Sequence, residues 1–128
     1  MADNLQVELV AADRVVWSGE ATMVVARTTD GEIGVLKDHA PVLSVLLPSA
    51  IEVQTVKDDR QYAVIDGGFL SVANNRVSIL AERATLGAEV NLQEARQELD
   101  RAQAEAESPQ DPALLLAQAR VTVAEKSS

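Results

Sequence analysis

The chain has 128 residues, a formal net charge of -9, 47% hydrophobic residues, 2% aromatics and no cysteine. The negative charge argues against nucleic acid, whose phosphates call for clustered Lys and Arg, and against an anionic lipid surface. Without cysteine there are no disulfides, no thiolate nucleophile and no cysteine-based metal site. The core is therefore expected to be built from Val, Leu, Ile and Ala, with Trp17, Tyr62 and Phe69 as its few large pieces. The opening Met1-Ala2-Asp3-Asn4 has neither a basic nor an apolar region of the kind a secretory signal needs. The apolar run Ala40–Leu47, interrupted by Ser44, is too short to span a bilayer. These features predict a soluble intracellular protein that reaches a membrane only through a partner.

Residues 1–87 read as short strands. Leu5, Val7 and Leu9 alternate with Gln6 and Glu8, and Ile51, Val53 and Thr55 alternate with Glu52 and Gln54, the period of a half-buried strand. Turn signals punctuate them: Ser18-Gly19, Asp30-Gly31, Lys57-Asp58-Asp59, Gly67-Gly68 and Asn74-Asn75. With no helical pattern between the strands, an antiparallel sandwich or barrel is expected and a parallel sheet is not.

At Gly87 the composition changes. All the glycines and aromatics lie at or before it, and β-branched residues, which favour a pleated surface, become sparse after it. Residues 88–128 read as a helical hairpin. Leu92, Ala95, Leu99, Ala102 and Ala106 form one apolar stripe, opened by an Asn91/Glu94 capping box. Arg96–Asp100 and Arg101–Glu105 are spaced for exposed i,i+4 pairs. Ser108-Pro109 ends the first helix. Asp111-Pro112 starts the second, with Leu114, Ala117, Val121 and Ala124 as its stripe. Alanine-rich stripes bury little area, and helices this short are marginal alone. Two readings stay open: a weakly docked hairpin that can leave its resting place, and a helix pair that simply closes one face of the sandwich.

Chemistry finds little to work with. His39 is the sole histidine and reads as a loop residue bonding nearby backbone; Ser44 and Ser71 lack a nucleophile-elbow context. Asp58-Asp59 reads as a solvated turn rather than a calcium site. Gly67-Gly68 is too short for a phosphate loop and reads as a hairpin turn. No catalytic residue, cofactor or metal is assigned.

Four motifs in order, Gly31-Glu32-Ile33-Gly34, His39-Ala40-Pro41-Val42-Leu43, Asp66-Gly67-Gly68-Phe69-Leu70-Ser71-Val72 and Val77-Ser78-Ile79-Leu80-Ala81-Glu82, resemble the epsilon subunit of bacterial F-type ATP synthases across essentially the whole chain. The resemblance implies a β-sandwich of about ten strands followed by a two-helix hairpin. It implies a non-catalytic rotor subunit that couples proton flow to ATP synthesis, at the cytoplasmic face of the cell membrane and not inserted in it. Its partners would be the gamma subunit, the ring of c subunits and, through the hairpin, the alpha/beta catalytic head. Glu32, Lys37, Asp38 and His39 match the loop that faces the c ring, with Glu32 making polar contact there. Lys37-Asp38 stands where many relatives have Pro-Gly, so a less constrained loop is expected.

In this family the hairpin is bistable: compact against the sandwich, or extended into the head, where it blocks ATP hydrolysis. Its basic residues here are Arg96, Arg101, Arg120 and Lys126, against eight acidic residues after Gly87, so weak inhibition is expected. Some members bind ATP through Ile/Leu/Val-Asp-x-x-Arg-Ala. Ungapped, this chain has Val90-Asn91-Leu92-Gln93-Glu94-Ala95, with Asn for Asp and Glu for Arg. A shift of two restores Arg96 but leaves Gln at the Asp and Ala positions. ATP binding is expected to be absent or very weak. Two other classes stay in view: a nucleotide sensor without a rotor, which needs that missing motif, and an enzyme on a sandwich scaffold, which needs a polar cluster that one histidine makes hard to build.

Overall fold

The computed structural model describes residues 4–127; the opening residues 1–3, read above for a signal, lie outside them. Seven strands come first: β1 (Leu5–Ala11), β2 (Arg14–Thr28), β3 (Gly31–Leu36), β4 (Val42–Thr55), β5 (Arg60–Ala73), β6 (Arg76–Ala81) and β7 (Ala84–Leu86). A single 3-10 turn at Gly87–Glu89 leads to α1 (Leu92–Glu105) and α2 (Pro112–Ser127). Among the described residues no helix is long and apolar enough to cross a membrane.

The strands close on themselves as a flattened barrel. β1 pairs with β6, β6 with β5, β5 with β4, β4 with β2, and β2 back with β1, while β3 and β7 are added at the sides. Closure removes most of the free hydrogen-bonding edge that an open sheet leaves. The expected count of about ten becomes seven because β2, β4 and β5 are long enough to run through both faces. Cut at their bends, those three become six and the count of ten returns. One pair departs from the antiparallel expectation: β1 and β6 are parallel, Val7 opposite Val77 and Leu9 opposite Ile79. No crossover helix is needed, since four other strands make the connection.

Alternation puts Leu5, Val7, Leu9, Ile51, Val53, Leu70, Val72, Val77 and Ile79 inside. Phe69 is not among them; it points outward and is 55% exposed, while Trp17 is half-buried against the core and Tyr62 is half-buried beneath the helices. Asn74 and Asn75 both take positive φ, as a two-residue hairpin turn requires. Two expected turns are strand instead. Gly19 lies in β2, where a side chain would strike the Trp17 ring at 3.0 Å. Gly67 and Gly68 lie in β5: Gly67 has φ +109, and a Cβ on Gly68 would overlap the Leu80 carbonyl. These two glycines let β5 bend and press against β6.

The hairpin forms as its caps dictate. Asn91 Oδ1 accepts the Glu94 N–H at 2.9 Å, and Asp111 Oδ1 accepts the Ala113 N–H at 2.9 Å ahead of Pro112. α1 stops at Glu105, a few residues before Pro109. α2 packs on the barrel, over β4 and β5, and α1 lies mainly on α2, with Leu92 and Ala95 also reaching the interface. The interface is a second, small core of Val64, Val90, Ala95, Ala119, Val123 and Ala124, with Ala50, Tyr62 and Leu92 partly buried around it. The expected α2 stripe omitted Ala119 and Val123. A helix with a neighbour on two sides spreads its apolar residues around more than one face.

Candidate functional site

Pairing in the sheet gathers exposed apolar side chains into a row. Val45 is opposite Phe69, Phe69 opposite Leu80, Leu80 beside Val10, and Val10 opposite Val15. Paired residues point to the same side, so the row crosses five strand segments, about 19 Å at the usual strand spacing. Val15, Val45, Phe69 and Leu80 are each between 49% and 57% exposed, and Leu43, one step along β4 from Val45, is 77% exposed. In the neighbouring row Leu43 is followed by polar residues, with Ser71 opposite Ser78 and Ser78 beside Glu8. A continuous apolar row on water is the mark of an interaction surface rather than of chance exposure. Sequence reasoning assigned Phe69 to the core; only the register reveals its outward neighbours.

The loop after β3 holds Lys37, Asp38 and His39 at one end of the barrel. Asp38 has φ 65, a backbone conformation that short polar residues tolerate. Its N–H donates to Asn75 Oδ1 at 2.6 Å, and Asn75 Nδ2 donates to Asp38 Oδ1 at 3.1 Å. The His39 N–H donates to the Leu36 carbonyl, and its Nδ1 donates to the Ala40 carbonyl at 2.7 Å. The loop is thus pinned to the Asn74-Asn75 turn, contrary to the looseness expected from losing Pro-Gly.

Glu32 is elsewhere. It sits in β3 opposite Arg27, four residues or about 13 Å of strand from Leu36. There it lines a cleft of about 500 Å³ between α2 and the sheet, with Arg27, Glu52, Tyr62, Gln118 and Lys126. The structure therefore does not bring Glu32 and His39 into one loop.

Three of the hairpin's basic residues, Arg96, Arg120 and Lys126, are turned to internal partners. Arg96 Nη2 lies 3.7 Å from Glu125 Oε2, and Arg120 Nε lies 3.2 Å from Glu98 Oε2, both pairs joining α1 to α2. Lys126 Nζ stands 5.5 Å from the Tyr62 ring centroid, a cation–π contact onto the sheet. Arg101 lines a shallow groove between the helices with Glu98, Glu105 and Arg120. Neither Asn91, Glu94 nor Arg96 lines the cleft beneath α2.

At the junction of sheet and hairpin, Arg14 Nη2 donates to Glu89 Oε1 at 2.9 Å, and the same oxygen accepts the Leu86 N–H at 3.0 Å. The hydrogen bond from Arg14 chiefly, then that from Leu86, holds the Glu89 carboxyl below its ordinary pKa, and the same pairing raises that of Arg14. Sequence spacing gives no hint of a pair 75 positions apart.

Comparison with known proteins places this geometry. Residues 4–87 match the family described as ATP synthase, Delta/Epsilon chain, beta-sandwich domain. The ATP synthase epsilon chain of Streptomyces avermitilis is 52% identical over 108 residues, covering 84% of this chain and 87% of the relative. That of Rhodococcus opacus is 42% identical over 126 residues, covering 97% and 98%. Among solved structures, a chain of the Euglena gracilis mitochondrial ATP synthase, in a c-ring-containing assembly, shares the fold at a TM-score of 0.76 and 23% identity, covering 99% of this chain and 82% of that one. A chain of the Tetrahymena thermophila mitochondrial ATP synthase central stalk and c-ring matches at 0.59 and 16%, covering 97% and 96%. With a sandwich matched over its full span and relatives aligned through the hairpin, the chain belongs to the delta/epsilon chain family of ATP synthase subunits.

Proposed function

We propose that this chain is a non-catalytic subunit of the central stalk, coupling proton flow to ATP synthesis, and that the apolar row from Val45 to Val15 is its seat on the gamma subunit. The row carries the proposal: a barrel whose core is complete has no internal use for Phe69 and Leu80 in water. The pinned loop Lys37–His39 is assigned to the c-ring loops, where a fixed backbone presents its polar groups at low ordering cost. Glu32, on the cleft side, is a separate polar contact with the c ring. The complex sits at the cytoplasmic face of the membrane, and this subunit is peripheral to it.

The hairpin is assigned a restraining role on ATP hydrolysis through the alpha/beta head. Docked, it has Arg96, Arg120 and Lys126 engaged with Glu125, Glu98 and Tyr62, and extension has to release them. An acidic hairpin with so few cations restrains weakly. ATP binding is absent or very weak, since Asn91 Oδ1 is taken up as a helix cap and Arg96 as an ion pair. Micromolar affinity in a calorimetric titration with ATP overturns that point.

The test of the whole is to titrate the purified chain into a gamma-containing catalytic head that lacks its small subunit, following binding and hydrolysis together. One chain bound per head, lost in Phe69→Asp, supports the reading. No binding at micromolar concentration refutes it.

A further inference from the structure

We infer that Gly87 is a docking switch: its missing side chain is what allows α2 to lie on the barrel. Gly87 is buried in the 3-10 turn between sheet and hairpin, directly beneath the last turns of α2. A Cβ there would stand 3.0 Å from the Val123 carbonyl oxygen and 3.0 Å from Ser127 Cβ, and would overlap Ser127 Oγ. The Ser127 side chain can rotate away. The Val123 carbonyl cannot, because it belongs to the helix backbone, so α2 and the turn have to move apart by a few tenths of an ångström to relieve the contact.

Conformation offers no competing reason for glycine at this position. The glycines with positive φ are Gly31, Gly67 and Gly68, so residue 87 has a backbone that other residues adopt freely. Steric approach is the whole requirement. Its leverage comes from an interface whose fully buried part between α2 and the sheet is Val64, Ala119, Val123 and Ala124, short side chains that hold helix and sheet close, with Tyr62 and Leu116 only partly buried around them. The barrel bears less of the constraint, since its core cluster contains no residue of α2, although the turn itself touches β5. The position therefore bears on the docking of the hairpin more than on the barrel beneath it, and this holds whether or not the apolar row seats on gamma.

Amide hydrogen exchange on the full chain tests this with Gly87→Ala, Gly87→Val and the control Ala88→Val, whose side chain is exposed. Gly87→Val is expected to cut protection of the α2 amides at least tenfold while β4 and β5 keep theirs, Gly87→Ala to cut it less, and Ala88→Val to leave it unchanged. Unchanged α2 protection in Gly87→Val overturns the inference. So does equal loss in Ala88→Val, which would make the turn generally sensitive. Loss of protection in β4 and β5 together with α2, in the mild Gly87→Ala as in Gly87→Val, overturns it too, since the position would then hold up the barrel.

Discussion

The two outer faces of the barrel solve opposite problems. One leaves Val45, Phe69, Leu80 and Val15 about half exposed, with Val10 partly exposed among them, an apolar surface that neither helix covers. The other is closed from within by α2, through alanines and valines. Large residues face outward on the side proposed for gamma, and mostly small ones face the element that stays on the same chain. Burial energy scales with area, so an interface of methyl groups is weak by construction, whereas a row of Phe, Leu and Val is strong once covered. The difference suggests a permanent contact on one side and a reversible one on the other.

Substitutions separate the two sides from each other and from the core between them. The largest expected effect belongs to neither face: Leu70→Ala, at a fully buried site, lowers global stability by about 2–5 kcal/mol in a denaturant titration. Phe69→Asp changes that stability by no more than about 0.5 kcal/mol, yet removes about 2 kcal/mol or more of binding to the gamma-containing head. A large loss of stability in Phe69→Asp breaks the comparison, because the row would then be part of the core. Val123→Ala costs about 1.5 kcal/mol on a methylene basis, read as faster exchange in α2 while the barrel holds. Asn91→Ala removes the cap of α1 and costs about 1 kcal/mol, seen as fraying of its first turn.

The smallest effect concerns the junction. Because Glu89 has a depressed pKa when folded, its contribution is present above the unfolded carboxylate value and is lost as pH falls through the folded one. Glu89→Gln should lower Tm slightly at pH 7, and the gap to the parent chain should close on acidification below about pH 4. A gap that persists or widens in acid assigns the effect to shape rather than charge.

Much of the barrel was legible because period-two alternation survives in β1 and in the second half of β4, and because Asn74-Asn75 and Lys57–Asp59 signal turns by local chemistry alone. Glycine misled where its purpose was space rather than turning: Gly19 makes room for Trp17, and Gly68 for the Leu80 backbone. Phe69 misled because size suggests burial, and only strand register discloses an outward row. Of the candidate site, the position of His39 and the bond its ring makes to backbone could be read locally. The Asp38–Asn75 clamp, 37 positions apart, could not, nor could the separation of Glu32 from His39 by the length of β3. The helix caps were plain in the sequence. Which face of α2 would meet the sheet was not, since its apolar residues serve two neighbours at once.

The parallel pairing of β1 with β6 has a consequence for how the molecule is made. β1 can fold back on β2 as soon as both exist, but its other edge has no partner until the residues up to Ala81 have been synthesised. At ordinary translation rates of about 5–20 residues per second, that edge waits several seconds. Over that interval the nascent barrel is an open sheet, exposed to mispairing with any extended neighbour. Closure comes with the last full-length strand, and the hairpin, emerging afterwards, meets a face that is already formed.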